Sequence, residues 1–340
     1  MKEREAQRLG NYLLVRLLGR GGFASVYLGQ HVYLNTWAAI KVLNVELARD
    51  KVKRFLTEAR MIAGLANSHV IRVLDFGMDG HIPYLVMEYA PHGSLHQLHY
   101  GERLPLSTVL SYVKQIADGL QCVHDHNLIH RDIKPSNILL DADNNVLLSD
   151  FGISIIVDSK GFPQTGACEG TIDYIAPEQL RGNPCQASDL YSLGIVVYEL
   201  LSGYLPFYGT PREIARQHMY TPPPRLRDMV PEIPLAIEQV VMKSLRKDPK
   251  QRFPSAHEFA ADLERASKAI SVNQPSGALT MRYRPMPRPA HAAIYRRHAQ
   301  MGQYGLISRQ RQPRAIPQER ILASQKYLAD PPRHAPRRQW

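Results

Sequence analysis

Residues 130–137 read HRDIKPSN, and residues 146–152 read VLLSDFG. The first stretch packs a carboxylate (Asp132), a cation two residues on (Lys134) and an amide (Asn137) into eight residues, with Pro135 stiffening the chain between them. A hydroxyl nucleophile needs a proton acceptor beside it, and a transferring phosphoryl group needs nearby positive charge. An amide oxygen and a second carboxylate can hold a divalent cation through hard oxygen ligands. The second carboxylate is Asp150, 18 residues after Asp132 at the end of an apolar strand-like run. A lone DFG carries little information, but the two stretches in this order are specific.

Working outward, the stretch GRGGFASV at 19–26 places Gly19 and Gly21 where a phosphate loop of the G-x-G-x-x-G type would have them, but Ala24 stands where the third glycine belongs. Lys41 lies late in the strand-like WAAIKVL, and Glu58 follows 17 residues later beside the apolar face of a helical pattern over 51–65. Taken singly, each reads as an ordinary solvated residue. On the other side of DFG stand APE at 176–178, Asp189 in SDLYSLG and Arg252 in DPKQRF.

This ordered series (GRGGFASV, AAIK, Glu58, HRDIKPSN, DFG, APE) makes the chain resemble the protein kinase superfamily, specifically bacterial-type Ser/Thr protein kinases, over roughly residues 10–268. The resemblance implies an α+β, two-lobed protein kinase fold. Its small lobe, about 10–89, would be an antiparallel β-sheet with one main helix, and its large lobe, about 90–268, would be mainly α-helical. It also implies roles. Gly19, Arg20, Gly21 and Gly22 would lie over ATP phosphates, with Val26 and Ala39 beside the adenine. Lys41 would hold phosphates and pair with Glu58. Met87 falls at the gatekeeper position, and the Glu88 carbonyl and Ala90 N–H would meet the adenine edge. Asp132 would accept or orient the substrate hydroxyl proton, Lys134 would neutralise the γ-phosphate, and Asn137 with Asp150 would bind Mg²⁺, with Mn²⁺ as an alternative. Asp189 would brace the catalytic loop, and Arg252 would pair with Glu178. Lys134 and Thr171, which follows Gly170, imply Ser/Thr acceptors in protein substrates. Thr165, five residues before Gly170, is a candidate phosphosite with Arg131 as the receiver of its phosphate. Ser159 is a weaker candidate, and Cys168 reads as an inert thiol.

Hydrophobic periodicity agrees with this layout. Strand-like runs cover 12–19, 23–30, 37–43, 70–77 and 83–90, and helical patterns cover 107–124, 188–202, 235–247 and 255–269. Strands first and helices later predict a sheet-rich lobe joined to a helical one, with a cleft between them for a ligand. The apolar run at 193–207 is interrupted by Glu199, Ser202 and Gly203, so no membrane span is predicted. The charged N-terminus lacks a secretion signal, and three unpatterned cysteines point to a reducing compartment, hence a cytoplasmic protein.

The net charge of +11 is unevenly spread: residues 271–340 hold 13 Lys and Arg against 2 Asp and Glu, leaving 29 of each sign in 1–270. The catalytic domain, 1–270, is therefore neutral. The tail, 271–340, reads as a disordered Pro/Arg-rich extension, with a nucleic-acid-binding arm as a second reading and a shifted reading frame over 281–340 as a third. His92, His96 and His99 mimic a metal-ligand spacing, but Gly93 interrupts them and no acid or Cys completes a site. Expected partners are protein substrates and a second copy for trans-autophosphorylation. A scaffold without activity would lose Lys41, Asp132 or Asp150. A small-molecule kinase would not need APE, Asp189 and Arg252 together.

Overall fold

Alternation of side chains in the N-terminal strands splits them into two faces, and the structure buries both. In the computed structural model, residues 7–22, 24–44, 49–151 and 172–272 are described, without the side chains of 49–51, 53–55, 58 and 270–272. All of these residues fall in the unit Met1–Ser276. The strands among them are β1 (Arg8–Leu9), β2 (Tyr12–Arg20), β3 (Ala24–His31), β4 (Trp37–Leu43), β5 (Val73–Asp79), β6 (Ile82–Glu88), β7 (Ile138–Leu140) and β8 (Val146–Leu148). The first six form an antiparallel sheet in the order β1-β2-β3-β4-β6-β5.

The period of two in β4 sends Ala38, Ile40 and Val42 to an outer cluster with Leu14, Tyr27, Tyr84 and Val86. Leu43 joins the other face, where Ala24, Leu85 and Met87 merge with the main core. Ala39 and Lys41 share that inner face by parity. Helix α1 (Arg49–Ala63) covers it with Ala59 and Ile62. The chain then crosses to a helical lobe built from α2 (Leu95–His99), α3 (Leu106–Asp125), α4 (Pro177–Leu180), α5 (Gln186–Ser202), α6 (Pro211–Tyr220), α7 (Leu226–Met229), α8 (Leu235–Ser244) and α9 (Ala256–Val272).

The antiparallel pair β7–β8 lies between the lobes. Leu148 N donates to His69 O and Ile71 N donates to Leu148 O, both at 2.9 Å, so the segment entering β5 is stitched directly to the strand that precedes Asp150. Helix α5 is apolar nearly all round and buried along its length from Ser188 to Ser202, as its sequence predicts. It approaches α8 closely at Gly194, where any Cβ would collide with the Ser244 hydroxyl. It stops at Gly203, which takes φ +80° and donates its N–H to Glu199 O at 2.7 Å.

Periodicity places the five long strands and the long helices within a few residues of their observed ends. It does not reveal β1, too short to show a period, or α6. Helix α6 is marked instead by a capping box in which Thr210 and Glu213 bond reciprocally, with Pro211 at the first helical position. Residues 273–340, including most of the basic tail, lie outside the described residues, and so do Ser159, Thr165, Cys168 and Thr171. Among the described residues no helix is long and apolar enough to cross a membrane.

Candidate active site

Two hard turns in the backbone set the site. Arg131 takes φ +67° and Asp150 takes φ +60°, a region that side chains other than glycine rarely occupy. Such conformations persist where surrounding bonds over-determine them. Around Arg131 those bonds come from Asp189, a fully buried carboxylate in the first turn of α5. Its two oxygens accept the amides of His130 (2.9 Å) and Arg131 (2.8 Å), and Oδ2 also accepts from His124 Nε2 at 2.8 Å. Gln179 Nε2 adds a bond to Arg131 O at 2.9 Å.

The loop so held presents Asp132. Its Oδ2 accepts from Lys134 Nζ at 2.9 Å and from Asn137 Nδ2 at 2.8 Å, and Asn137 Nδ2 also reaches Asp132 O at 2.8 Å. With its NH₂ committed to Asp132, Asn137 keeps its carbonyl oxygen as the group able to ligate a cation. Asn137 O in turn accepts from Ser149 N at 2.9 Å and Ser149 Oγ at 3.0 Å, which fixes the residue before Asp150 against the loop that carries Asp132.

Asp150 accepts from Lys41 Nζ at 2.9 Å. Burial alone would raise the pKa of Asp150, but the Lys41 charge and hydrogen bond, reinforced by Lys134 and His130, leave it below the ordinary carboxylate value. Lys134 therefore acts on both carboxylates, so Asp132 and Asp150 share one site. Two anionic oxygens plus an amide oxygen beside two lysines suit a divalent cation and a polyphosphate together. His130 lies fully buried against the Phe151 ring at 4.6 Å between centroids, and burial lowers its pKa.

The expected nucleotide-side residues line the inner face of the sheet. Val26 pairs with Lys41, Lys41 with Leu85, and Ala39 with Met87, so the side chains of Val26, Ala39, Lys41 and Met87 point one way. Gly19 and Arg20 end β2; Gly21 and Gly22 are exposed in the turn. Gly21 N bonds Ala24 O at 2.8 Å, and Asn44 Nδ2 bonds Gly21 O at 3.0 Å, an anchor that no motif signals. Glu88 pairs with Ala38, and its carboxylate accepts from Arg72 N at 2.7 Å; Ala90 follows as the chain leaves the sheet. The side chain of Glu58 lies outside the described residues, so its expected pairing with Lys41 has no description.

Glu178 and Arg252 meet as a buried fork: Nη1 to Oε1 is 2.6 Å and Nη2 to Oε2 is 2.8 Å. The remaining donors of Arg252 bond Arg246 O, Ala187 O and Lys247 O, and Ser188 Oγ bonds Glu178 Oε1 at 2.7 Å. Burial works against the Glu178 charge, but these bonds hold its pKa below the usual value. The histidine trio is dispersed among separate partners. His92 Nδ1 meets Asn144 Oδ1 at 2.9 Å and His99 Nε2 meets Tyr112 Oη at 3.4 Å, with Gly93 at φ +75° between them. Gln179, His124 and Ser188 do not stand out in the sequence, because their roles follow from contacts over 10 to 65 residues rather than from a motif.

The fold and this arrangement define a protein kinase. The family model for the protein kinase domain matches residues 12–262, so the chain belongs to that family. Its relatives place it among bacterial Ser/Thr kinases. It is 34% identical over 270 residues to the serine/threonine-protein kinase PrkC of Bacillus subtilis, covering 78% of this chain and 42% of that protein. It is 34% identical over 337 residues to PknL of Mycobacterium bovis, covering 96% of this chain and 82% of that protein, so the likeness extends well past residue 272. The crystal structure of the Mycobacterium tuberculosis PknI kinase domain superposes with a TM-score of 0.63 at 26% identity, covering 78% of this chain and all of that one. The chain thus spans less than half the length of PrkC.

Proposed function

We propose that this chain transfers the γ-phosphoryl group of ATP to Ser or Thr hydroxyls of protein substrates, its own chains included. The observation that carries this reading is the clamped carboxylate of Asp132, held by Lys134 and Asn137 beside the Lys41–Asp150 pair. A small depression lined by Arg131, Asp132, Ile133, Tyr174, Ile175 and Ser192, with room for about one water-sized group, lies at that carboxylate, where an acceptor hydroxyl would approach. Asp132 orients the incoming hydroxyl and takes its proton. Lys134, bonded to the same carboxylate, places positive charge where the phosphoryl group passes. Lys41 holds the nucleotide's phosphates from the sheet face. Asn137 and Asp150 would hold a divalent cation, Mg²⁺ or Mn²⁺, which when bound would neutralise phosphate charge. Gly21 and Gly22, exposed at the turn, let backbone approach the phosphates.

The chemistry of an ATP-consuming enzyme with free thiols suits the cytoplasm. Within the proposed scheme, residues 1–270 are the catalytic domain and the basic tail is an appendage. Thr165 is the activation-loop phosphosite, with Arg131 as its receiver and Thr171 in the acceptor segment. Incubating the purified full chain with γ-labelled ATP, each metal and a basic acceptor protein tests the proposal. Label is expected on Ser and Thr of the acceptor and of the chain itself, and Asp132→Asn should abolish it. Undiminished labelling by that variant would refute the assigned mechanism.

A further inference from the structure

Beneath the residues that follow the acceptor pocket lies a buried polar chain that the reaction itself does not use. His218 of α6 is fully buried. Its Nε2 is 3.1 Å from Asp173 O, and its Nδ1 is 3.0 Å from Tyr191 Oη. Tyr191, also fully buried on α5, accepts from Lys247 Nζ at 3.3 Å, and Lys247 Nζ also donates to Gln217 O at 3.3 Å. These partners fix every donor direction. A carbonyl oxygen can only accept, so Nε2 of His218 carries the proton. With that proton on Nε2 the neutral ring's Nδ1 offers only a lone pair, so the Tyr191 hydroxyl donates to it while accepting from the Lys247 ammonium. The order is Lys247 to Tyr191 to His218 to the backbone of Asp173.

We propose that Lys247, Tyr191 and His218 form a one-way hydrogen-bond relay that positions residues 172–174 for the acceptor protein, with His218 as the positioning residue. The inference rests on the proposed kinase reading and names the device that shapes its acceptor side. The chain from Lys247 meets a second anchor of the same origin. Five residues later, Arg252 holds Glu178 and lies over the Tyr191 ring at 4.8 Å. One short stretch, 247–252, thus secures both ends of the acceptor segment 172–178. Further bonds agree: Ser192 Oγ donates to Tyr174 O at 2.7 Å, and Tyr174 Oη donates to Glu199 Oε2 at 2.7 Å.

The surroundings enforce a neutral imidazole. Burial and then the Lys247 charge push His218 down to about 3, and burial together with Arg252 pushes Lys247 down to about 8. Phe207 stacks edge-on to His218 at 4.9 Å and lies under Lys247 Nζ at 4.7 Å, so the cation sits on an aromatic shelf. The charged or titratable groups facing His218 are Lys247 and Tyr191, with Arg252 and its partner Glu178 behind the tyrosine ring. Protonating Nδ1 would take away the acceptor of the buried Tyr191 hydroxyl hydrogen and set a second cation near Lys247.

The test compares the full chain with His218→Phe, His218→Gln and Tyr191→Phe. The phenyl ring keeps the packing against Phe207 but removes both bonds. Gln places a donor near the position of Nε2. For His218→Phe the KM for the acceptor protein is expected to rise about tenfold while the KM for ATP changes less than twofold, with His218→Gln recovering most of the loss. Tyr191→Phe should fall between. Ring-nitrogen NMR of the wild type should show His218 neutral and protonated on Nε2 throughout pH 5.5–7.5. Equal effects on both substrates, no effect in a folded variant, an Nδ1–H tautomer or titration near pH 6.5 would each overturn the relay. Absence of transfer by the wild type would sink the kinase reading instead, and the tautomer would then decide the relay by itself.

Discussion

Asp189 and Arg131 are joined through the backbone: the carboxylate at the head of the buried helix α5 accepts the Arg131 amide at 2.8 Å and the neighbouring His130 amide at 2.9 Å. A helix with no exposed face is a rigid mount, and the bonds hold Arg131 at φ +67°, one residue ahead of Asp132. Replacing Asp189 by Ala would orphan two buried N–H groups and His124 Nε2, each worth about 1–3 kcal/mol. We expect Asp189→Ala to lose several kcal/mol of unfolding free energy by urea titration, and Asp189→Asn to lose less but still to lower kcat by at least about tenfold. Wild-type kcat in Asp189→Asn would show that the brace does not act on the loop.

Glu178 and Arg252 provide a second test of buried charge. Removing either partner leaves the other uncompensated in the interior, at a cost of about 3–5 kcal/mol. Arg252→Lys should also be costly, because one ammonium cannot reproduce five directed donors that reach Glu178 and three carbonyls. A double-mutant cycle with Glu178→Ala and Arg252→Ala, read by thermal unfolding, should show strong coupling, the pair losing much less than the sum of the singles. Additive losses would contradict the pairing.

Glu199 gives a pH dependence of definite sign. Burial raises its pKa from 4.5 to about 7 in the folded chain. Between those values the folded state keeps a proton that the unfolded state has released, so stability falls as pH rises from 4.5 to 7 and stays reduced above it. The shift corresponds to about 3 kcal/mol at about 1.4 kcal/mol per pH unit. Glu199→Gln keeps an acceptor for Tyr174 Oη without the charge. Its unfolding free energy should lack this component, so relative to the wild type it gains stability at pH 8 compared with pH 5. An identical pH profile for the two chains would show that Glu199 does not titrate as described.

Ala24 bears on the incomplete glycine loop. It lies in β3 rather than in the turn, is buried, and packs in the main core on the sheet face opposite Tyr27. Its carbonyl accepts from Gly21 N at 2.8 Å and thereby closes the turn. The methyl is therefore part of the core rather than a stiffener of the phosphate loop. Ala24→Gly should destabilise the fold by about 1 kcal/mol, from lost burial and added chain entropy. The KM for ATP should stay within about tenfold of wild type. A larger improvement in ATP affinity would mean that the methyl does restrain the loop.

The sequence by itself determined the family and the lobe order, and it gathered the candidate site residues into short motifs. HRDIKPSN carries Asp132, Lys134 and Asn137 within one loop, and their contacts of 2.8–2.9 Å are local. Tertiary structure alone decided what holds these residues in place. The mates of Asp189 lie 58 to 65 residues away, and those of Arg252 include Glu178, 74 residues away. It also decided that Lys41 bonds Asp150 and that His218 reaches the backbone of Asp173. A hydrogen bond forms where burial removes water and geometry brings donor to acceptor, and residues far apart in the chain acquire that geometry only after the helices pack around α5.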